Sequence, residues 1–451
     1  MIGARVVAAA ALALGAALGV VSATTPASPG VRLYHDNPEH VWNRVHAALF
    51  VRVAPDGRKY GGDRVDPLLW TNSKYLLQGP SHDRAVTVLT EFVDTHGEKL
   101  IDDPLKRAIL QRDLWSVFDW LEDVHNYFEK PSLNSEVVRR GARPLHELLA
   151  AAIARLALAP EQIAALPDNL AGAAGAGGLP PDLFGGPWVS VGRPDGPMAL
   201  QHLNDSGPGK NSVFLVQIRL SDGRDATLRY LERLRAFKGP LWLDDPARGQ
   251  SFTPYPNPDI PQFPAGTQVA LVRRALLIDS TGKVSPSRLT EQVQHRVYRS
   301  IEKMTPQAFG DAHRIEESMF PRAGQDFEEF SLSRAALFAS GTGGLLPLGA
   351  AGPFFLTFSS KGIDAFEMRS GDRPRTFGVE PAQARRLCKD CHGAPGVYSV
   401  NSFVPFRLMN GPDAAGAPRL FEISLADAER TAVAWKQQRP EWIALKRLLM
   451  R

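Results

Sequence analysis

The chain of 451 residues contains two cysteines, Cys388 and Cys391, which stand close together near its C-terminal end. Disulfide bonds therefore cannot join distant parts of the chain, so the fold must be stabilised by buried apolar side chains. The composition allows this, since 44% of the residues are hydrophobic and 22% are charged, as in ordinary globular proteins. A chain of this length is expected to form about two to four domains.

The first residues have the order of a secretory signal peptide. One positive charge lies in Met1 to Arg5, an apolar run extends from Val6 to Val21, and small residues follow. We expect cleavage after Ala23, which makes residues 1–23 the signal peptide and places the mature protein in the periplasm or outside the cell. A retained membrane anchor is the alternative, but the run is short for a span of about 20 residues. No transmembrane anchor is expected after cleavage, and no cysteine follows the run that a lipid anchor could use.

Both cysteines belong to one motif, Cys388-Lys389-Asp390-Cys391-His392. Cys-x-x-Cys-His is the attachment motif for c-type haem. Two thiols at this spacing add to the two vinyl groups of the porphyrin, and the imidazole that follows is then held beneath the iron as proximal ligand. Covalent attachment also keeps the cofactor from being lost outside the cell. The motif therefore predicts one covalent haem c, held by Cys388, Cys391 and His392.

Three other interpretations of the two cysteines remain open. A thioredoxin-like redox pair is expected after a strand in a βαβ unit, whereas a helix start with Pro381 precedes this pair. A zinc site needs more Cys or His ligands, and His392 is the last histidine of the chain. A disulfide between Cys388 and Cys391 closes a loop too short to stabilise the fold much. Haem attachment is the interpretation that agrees with export and with the adjacent histidine.

The C-terminal segment, residues 379–451, resembles the c-type cytochromes. In that family a short helix runs into the attachment motif, and Pro381 to Cys391 matches it. The resemblance implies a later helix packed across the first, for which Leu425 to Trp435 and Glu441 to Met450 are the candidates. It also implies a sixth iron ligand, for which we expect Met409, with Met368 as the alternative upstream of the motif. A methionine that only fills a gap in the core is the competing interpretation of Met409.

Residues 31–169 are predicted to form a mainly helical domain. One helix is expected to begin with Ser81 as its N-cap, and a second to begin after Asp103. Their apolar residues recur at helical spacing. Two further helices are predicted from Pro144 to Leu158 and from Pro160 to Leu166.

Residues 170–182 are rich in glycine, alanine and proline and are predicted as a flexible linker between two domains. Residues 183–378 then show a mixed α+β pattern, with strands predicted at Val213 to Leu220 and at Gln268 to Ile278. A helix is predicted from apolar residues that recur every four positions: Leu289, Val293, Val297 and Ile301. The predicted class is a multidomain α+β protein with a mainly helical N-terminal domain, a mixed middle region and a small helical haem-binding C-terminal segment.

Other polar side chains give weaker signals. Three histidines on predicted helices, far from the motif in sequence, are weaker candidates for the sixth iron ligand: His82, His96 and His125. The first two, fourteen residues apart, are expected on roughly one helix face. Three acidic side chains are interpreted as the solvated face of a helix rather than as a catalytic pair: Asp119, Glu122 and Asp123.

These observations predict an exported monohaem protein, similar to a c-type cytochrome, that exchanges single electrons with a redox protein partner. The chain has about 350 residues more than a simple carrier needs. An alternative function is therefore a haem-dependent, peroxidase-like oxidoreductase with an open distal position. A third is a haem-free interaction protein in which Cys388 and Cys391 form a disulfide. The net charge of +4 is spread over the whole chain and gives no sign of a nucleic-acid partner.

Overall fold

The computed structural model describes residues 30–53, 59–65, 76, 79–127, 135–173, 178–194, 196–204, 210–240, 242–243, 255–301, 324–348, 396–401 and 420–450. The predicted signal peptide, residues 1–23, lies outside them, as does the haem motif of Cys388, Cys391 and His392. Met368 and Met409 lie outside them too. The described residues combine helices with a seven-stranded antiparallel sheet, so the mixed α+β class is confirmed.

The part of the chain before the sheet is mainly helical. Its helices are α1 (Val41–Phe50), α2 (Gly79–Asp94), α3 (Pro104–Tyr127), α4 (Ser135–Leu156), α5 (Pro160–Ala164) and α6 (Asn169–Ala173). A small hairpin of β1 (Arg52–Val53) and β2 (Lys59–Tyr60) follows α1. The cap predicted before α3 is confirmed, because Asp103 Oδ1 accepts hydrogen bonds from the backbone N–H groups of Leu105 and Lys106 at 2.8 and 3.2 Å.

Two predicted helix starts differ from the structure. Helix α2 begins at Gly79, so Ser81 lies inside the helix, where it is buried, and not at the N-cap. Helix α4 begins at Ser135 and continues through Pro144, where a start was predicted. A proline inside a helix removes one backbone hydrogen bond. The packing of α4 against α2 and α3 outweighs this local loss.

The later helices are α7 (Leu200–Asn204), α8 (Arg224–Ala236), α9 (Arg334–Ser340), α10 (Val397–Asn401), α11 (Leu425–Gln437) and α12 (Pro440–Leu449). The strands are β3 (Val189–Gly192), β4 (Ser212–Arg219), β5 (Trp242–Leu243), β6 (Tyr255–Pro256), β7 (Thr267–Ile278), β8 (Val284–Ser300), β9 (Gly324–Leu332), β10 (Leu345–Pro347) and β11 (Phe421–Glu422). Strands β5 and β6 form a separate pair, and the large sheet has the order β10-β9-β8-β7-β4-β3-β11. The strands predicted at Val213 to Leu220 and at Gln268 to Ile278 are confirmed as β4 and β7.

The helix predicted from Leu289 to Ile301 is wrong, because Val284–Ser300 is strand β8. Residues four positions apart lie on the same face of a strand and also on roughly the same face of a helix. The strand pattern is also obscured, since the polar Thr290 and Glu291 are buried and the pairing of β7 with β8 changes register here. A strand whose polar residues are buried shows no clear alternation in its sequence.

Alternate residues of β4 contribute to two different hydrophobic clusters. Val213 and Leu215 pack in the first cluster, which also contains buried side chains of α1 to α6. Phe214, Val216 and Ile218 pack in the second cluster, together with the buried side of α8. The helical part of the chain and the sheet therefore share the first core. The linker predicted at residues 170–182 is only partly described, and the division into domains stays a prediction.

Two C-terminal helices, α11 and α12, confirm the helices predicted at Leu425 to Trp435 and at Glu441 to Met450. Helix α12 packs against α3 and α4, and α11 packs against β4 and β8. The rings of Trp115 on α3 and Trp442 on α12 lie 5.8 Å apart between centroids. The C-terminal residues are thus part of the main fold. Within the described ranges, no helix is long and apolar enough to cross a membrane.

Candidate functional site

The predicted haem-binding residues Cys388, Cys391, His392 and Met409 lie outside the described residues. The described segment nearest to the motif along the chain is Gly396 with the short helix α10, directly after it.

Gly396 and Val397 pack against residues at the end of the sheet. Gly396 has a φ of +55°, and a Cβ built on it lies 2.2 Å from Gln262 Oε1 and 3.1 Å from Ile301 Cδ1. Val397 donates its backbone N–H to Gln262 Oε1 at 3.0 Å. Its side chain is buried in the second cluster, to which Tyr298 of β8 also belongs. Glycine suits this left-handed backbone and close approach, so the chain after the motif is held at the end of β8.

We call Gly396 and Val397 the anchor. Beside it, one face of the sheet changes from apolar to polar across its strands. Directly paired residues form three rows on this face. Each row runs from β4 through β7 and β8 to β9: Phe214-Arg273-Gln292-Ser331, Val216-Leu271-Gln294-Glu329 and Ile218-Val269-Arg296-Phe327. The residues of β4 are apolar, whereas most of those on β8 and β9 are polar. We call Arg273, Gln292, Gln294, Arg296 and Glu329 the polar face.

The polar face is both charged and buried. Arg273 and Arg296 are each 7% exposed, and Glu329 is 5% exposed. Arg296 lies over the ring of Phe327, 4.5 Å from its centroid, and donates to Gln294 Oε1 at 3.2 Å. Buried guanidinium groups are costly unless anions or hydrogen-bond acceptors face them. This face is therefore suited to polar or anionic groups more than to a purely apolar core.

His202, on helix α7, lies beside the polar face. Its ring stacks on Phe214 with centroids 5.8 Å apart. The residue is exposed, yet desolvation by surrounding atoms, together with the charges of Arg273 and Arg296, lowers its pKa to about 4. At neutral pH the imidazole of His202 is therefore uncharged. Sequence reasoning missed His202, because a helix of five residues shows no periodic pattern.

A network of buried charges joins the polar face to helix α3. Arg112 of α3 donates to Glu291 Oε2 at 2.8 Å and to the hydroxyl of Ser212 at 3.0 Å. Glu291 Oε2 also lies 3.5 Å from Nε of Arg273. Burial lowers the pKa of Arg273, and the charge of Glu291 opposes this shift. Glu291 thus connects Arg273 on the polar face to Arg112 in the helical part of the chain.

Asp113, the next residue of α3, accepts two hydrogen bonds from Arg334 of α9, at 2.8 and 2.5 Å. Burial works against the charge of Arg334, but Asp113 holds the pKa of this guanidinium above its ordinary value. His46 of α1 is buried nearby, with Nε2 2.9 Å from the carbonyl oxygen of Gly61. Burial lowers the pKa of His46 to about 4, although Asp113 acts in the opposite direction. His46 is therefore a neutral core histidine at physiological pH.

The prediction that Asp119, Glu122 and Asp123 form a solvated face is wrong for Asp119, which is buried. Its Oδ2 accepts a hydrogen bond from Lys436 Nζ at 2.6 Å, and Lys436 also donates to Glu441 at 3.2 Å. Burial raises the pKa of Asp119 to about 6, with Lys436 opposing the shift and Glu441 adding to it. The partner lies on α11, so the pattern of α3 alone does not indicate this burial.

The predicted histidine pair His82 and His96 does not share a helix face. Helix α2 ends at Asp94, and His96 follows it with a left-handed φ of 54°. His96 Nδ1 lies 3.1 Å from Glu98 Oε1. The side chain of His125 lies outside the described residues. In the described part of the chain, no group of three or more His, Cys, Asp or Glu side chains could hold a metal ion.

A groove of about 460 Å³ lies between the β7–β8 turn and helix α12. Lys283, Lys446 and Arg447 line it, together with Ile443 and Met450. The turn is at the opposite end of the hairpin from the anchor at the end of β8. Strand β7 has 12 residues and spans about 40 Å, so this basic groove is remote from the anchor.

Comparisons with known proteins identify no relative: no family model, no curated protein and no solved structure matches the chain. The function must therefore be inferred from the residues themselves. The Cys-x-x-Cys-His motif is the feature that bears on it most directly.

Proposed function

We propose that this is an exported protein that carries one covalently bound c-type haem and transfers single electrons. Cys388 and Cys391 hold the haem through thioether bonds, and His392 is the proximal iron ligand. The observation that carries the proposal is the Cys-x-x-Cys-His motif, which uses both cysteines of the chain. When bound, the haem supplies a one-electron iron couple whose potential depends on its axial ligands and its burial.

The proposed location is the periplasm or the exterior of the cell, and the proposed partner is a second redox protein. The apolar run from Val6 to Val21, followed by small residues, supports export. Residues 379–451 act as the haem-binding segment, and the helices α11 and α12 are consistent with its helical character.

Haem combines a flat apolar ring with two carboxylates, so its site needs apolar surface beside cations. The face of the sheet beside Gly396 is already packed, since Val216, Val269 and Arg296 are buried there. The support for haem is therefore the motif itself.

For the sixth iron position we propose Met409. It lies 17 residues after His392 and precedes Asn410-Gly411-Pro412, a turn that suits a loop over the haem. A thioether favours the reduced iron and raises the potential relative to a histidine ligand. Met368, upstream of the motif, is the alternative.

The test of covalent attachment is expression in an export-competent host that contains the cytochrome maturation machinery. The purified protein should keep its haem stain through denaturing electrophoresis and give a c-type pyridine haemochrome spectrum. A variant with Cys388→Ser and Cys391→Ser should be exported but unstained. The N-terminal residue of the mature protein, read by mass spectrometry, should be Thr24.

The control for a failed attachment is a known c-type cytochrome expressed in the same cells. If that control is stained and the wild-type band of correct mass is not, the proposed function is wrong. A thiol titration then decides what the cysteines do instead. Two thiols that react only after reduction indicate a disulfide between Cys388 and Cys391.

A further inference from the structure

We propose that Lys436 and Asp119 condense into an amide, which joins helix α11 to helix α3 by a covalent bond between their side chains. The two residues are 317 positions apart in the chain. The reaction releases water, needs no other reactant and does not depend on haem. It assigns a chemical role to a buried cluster that the sequence pattern of α3 alone does not indicate.

The two reacting groups are held in contact. Lys436 Nζ lies 2.6 Å from Asp119 Oδ2, an oxygen bonded to the carboxyl carbon that the amine attacks. Neither side chain is more than 1% exposed. Groups fixed in productive contact react as if at an effective concentration of about 10⁵ to 10⁸ M. The fold therefore favours the reaction of this amine with this carboxyl group over any other.

The surroundings of the pair are aromatic and closed to solvent. Lys436 Nζ lies 5.3 Å from the ring centroid of Trp115, and this ring lies 5.8 Å from that of Trp442. Both tryptophans are buried. Asp119 Oδ1 is buried too, and it accepts no hydrogen bond from the described residues. Burial disfavours the charged forms of both groups, and an amide removes these two charges from the core.

The two carboxyl groups of the cluster differ in their affinity for a proton. Burial raises the pKa of Asp119 to about 6, with Lys436 opposing the shift and Glu441 adding to it. Burial also works against the charge of Glu441, but Lys436 and Lys210 hold its pKa below its ordinary value. Neighbouring carboxyl groups with opposite pKa shifts are suited to act as acid and base. Asp119 is thus the group that is protonated and attacked, and Glu441 is the base.

The reaction balances within the cluster. Lys436 first transfers a proton from its ammonium to Asp119 Oδ2, which leaves a neutral amine beside a neutral carboxylic acid. The amine attacks the carboxyl carbon of Asp119 and forms the C–N bond. Glu441, whose Oε1 lies 3.2 Å from Nζ, accepts a second proton from the nitrogen and gives it to the departing hydroxyl. The C–O bond breaks, one water leaves, and Glu441 is regenerated.

The ion pair between Lys436 and Asp119 is the state from which this reaction starts. The pKa of Asp119 and the effect of Lys436 on stability both refer to that state. After condensation, α3 and α11 stay joined even in denaturant, because unfolding does not break an amide bond.

The test is mass spectrometry of a tryptic digest of the full-length wild-type protein, incubated in its folded form and then denatured. A joined peptide should contain the segments around Asp119 and Lys436, with a mass one water below the sum of the two. Trypsin should no longer cleave after Lys436, since an amide-bonded lysine carries no charge. Fragmentation of the joined peptide should place the link on Asp119.

Four variants test the assigned roles. Lys436→Arg keeps the positive charge without a primary amine and should give separate peptides. Lys446→Arg, which replaces an exposed lysine of α12, is the control and should keep the joined peptide. Glu441→Gln removes the base, so the joined peptide should form about 100-fold more slowly. Asp119→Asn should give the same joined peptide, with ammonia released in place of water.

The wild-type digest decides the proposal, so the result does not depend on whether a variant folds. Separate peptides from wild-type protein that has been kept folded for days at neutral pH refute the cross-link. A link that fragmentation places on Glu441, or on Lys210 in place of Lys436, refutes the assigned pair. The peptides are read whether or not haem is attached, so a failure of the proposed function leaves this test unaffected.

Discussion

Lys436 Nζ lies 2.6 Å from Asp119 Oδ2, although the two residues are 317 positions apart in the chain. Both side chains are buried, and Glu441 accepts a second hydrogen bond from the same ammonium at 3.2 Å. Charges in the interior are tolerated only while each has an opposite charge or hydrogen-bond partner. This cluster therefore fixes the C-terminal helices against α3.

Replacing Lys436 with Met is expected to destabilise the protein by about 3 to 5 kcal/mol, because Asp119 is then buried without its cation. Glu441 keeps only the more distant Arg439, at 3.7 Å. Urea unfolding followed by circular dichroism measures this loss. Lys446→Met is the matched control, since Lys446 is exposed on α12, and it should change the free energy of unfolding by less than about 0.5 kcal/mol. Equal, small losses in the two variants would show that the buried cluster does not stabilise the fold.

The buried, neutral state of His46 predicts a loss of stability in acid. Its pKa is about 4 in the folded protein, against about 6.5 in an unfolded chain. The unfolded chain therefore binds more protons between these values. The stability that His46 contributes is complete above pH 6.5 and is lost as the pH falls toward 4.

Asp119 titrates in the opposite sense, because its raised pKa of about 6 makes the folded protein bind more protons below that pH. A comparison of the wild type with His46→Gln isolates the histidine. The difference in the free energy of unfolding between the two proteins should be about 2 kcal/mol larger at pH 7 than at pH 5. Guanidinium unfolding at both pH values measures it, and a difference that does not change with pH would contradict the buried neutral state.

Gly396 is predicted to tolerate no side chain. Gly396→Ala combines a left-handed backbone with contacts to Gln262 and Ile301, so we expect a loss of more than about 1 to 2 kcal/mol in the free energy of unfolding. Gly282→Ala is the control, because Gly282 also has a positive φ, of +76°, but no atom within 4 Å of the added Cβ. The extra loss in Gly396→Ala over Gly282→Ala measures the close contact. Hydrogen exchange at Val397–Asn401 should become faster only in the former.

Ligation of the iron by Met409 predicts a weak charge-transfer band near the red edge of the visible spectrum of the ferric protein. Met409→Ala should abolish this band and lower the midpoint potential. Met368→Ala is the control and should leave both unchanged. If Met409→Ala leaves the band and the potential unchanged, its sulfur only packs in the core, and the sixth position is open or taken by another side chain.

Features with local signals were predictable from the sequence. The N-cap of α3 depends on the carboxylate of Asp103 and on the backbone N–H groups of Leu105 and Lys106. Strand β4 alternates Phe214, Val216 and Ile218 with residues of the other face. The predicted helices at α11 and α12 were correct for the same reason, since their apolar spacing lies within one element. Residues 388–392 also form a local signal, because the motif needs no distant partner.

Features that depend on distant residues were not predictable. Asp119 has the sequence context of a surface helix, and only the docking of Lys436 from α11 explains its burial. The polar face exists because the registers of β7, β8 and β9 place Arg273 beside Gln292, Gln294 beside Glu329, and Arg296 two residues further along β8. Strand β8 itself was mistaken for a helix, since its spacing of four residues fits both structures and the buried Glu291 interrupts the pattern.

The pairing of β11 with β3 determines when the seven-stranded sheet can be completed. Phe421 pairs with Gly192, so β3 lacks its partner at that edge of the sheet until residue 421 has been synthesised. Contacts between such distant residues form late and slowly in folding. The segment with Cys388 leaves the ribosome before β11 does, and under the proposed function its cysteines are presented to the attachment machinery while the sheet is still incomplete. Under the proposed function, haem attachment at Cys388 and Cys391 can therefore begin before β11 completes that edge of the sheet.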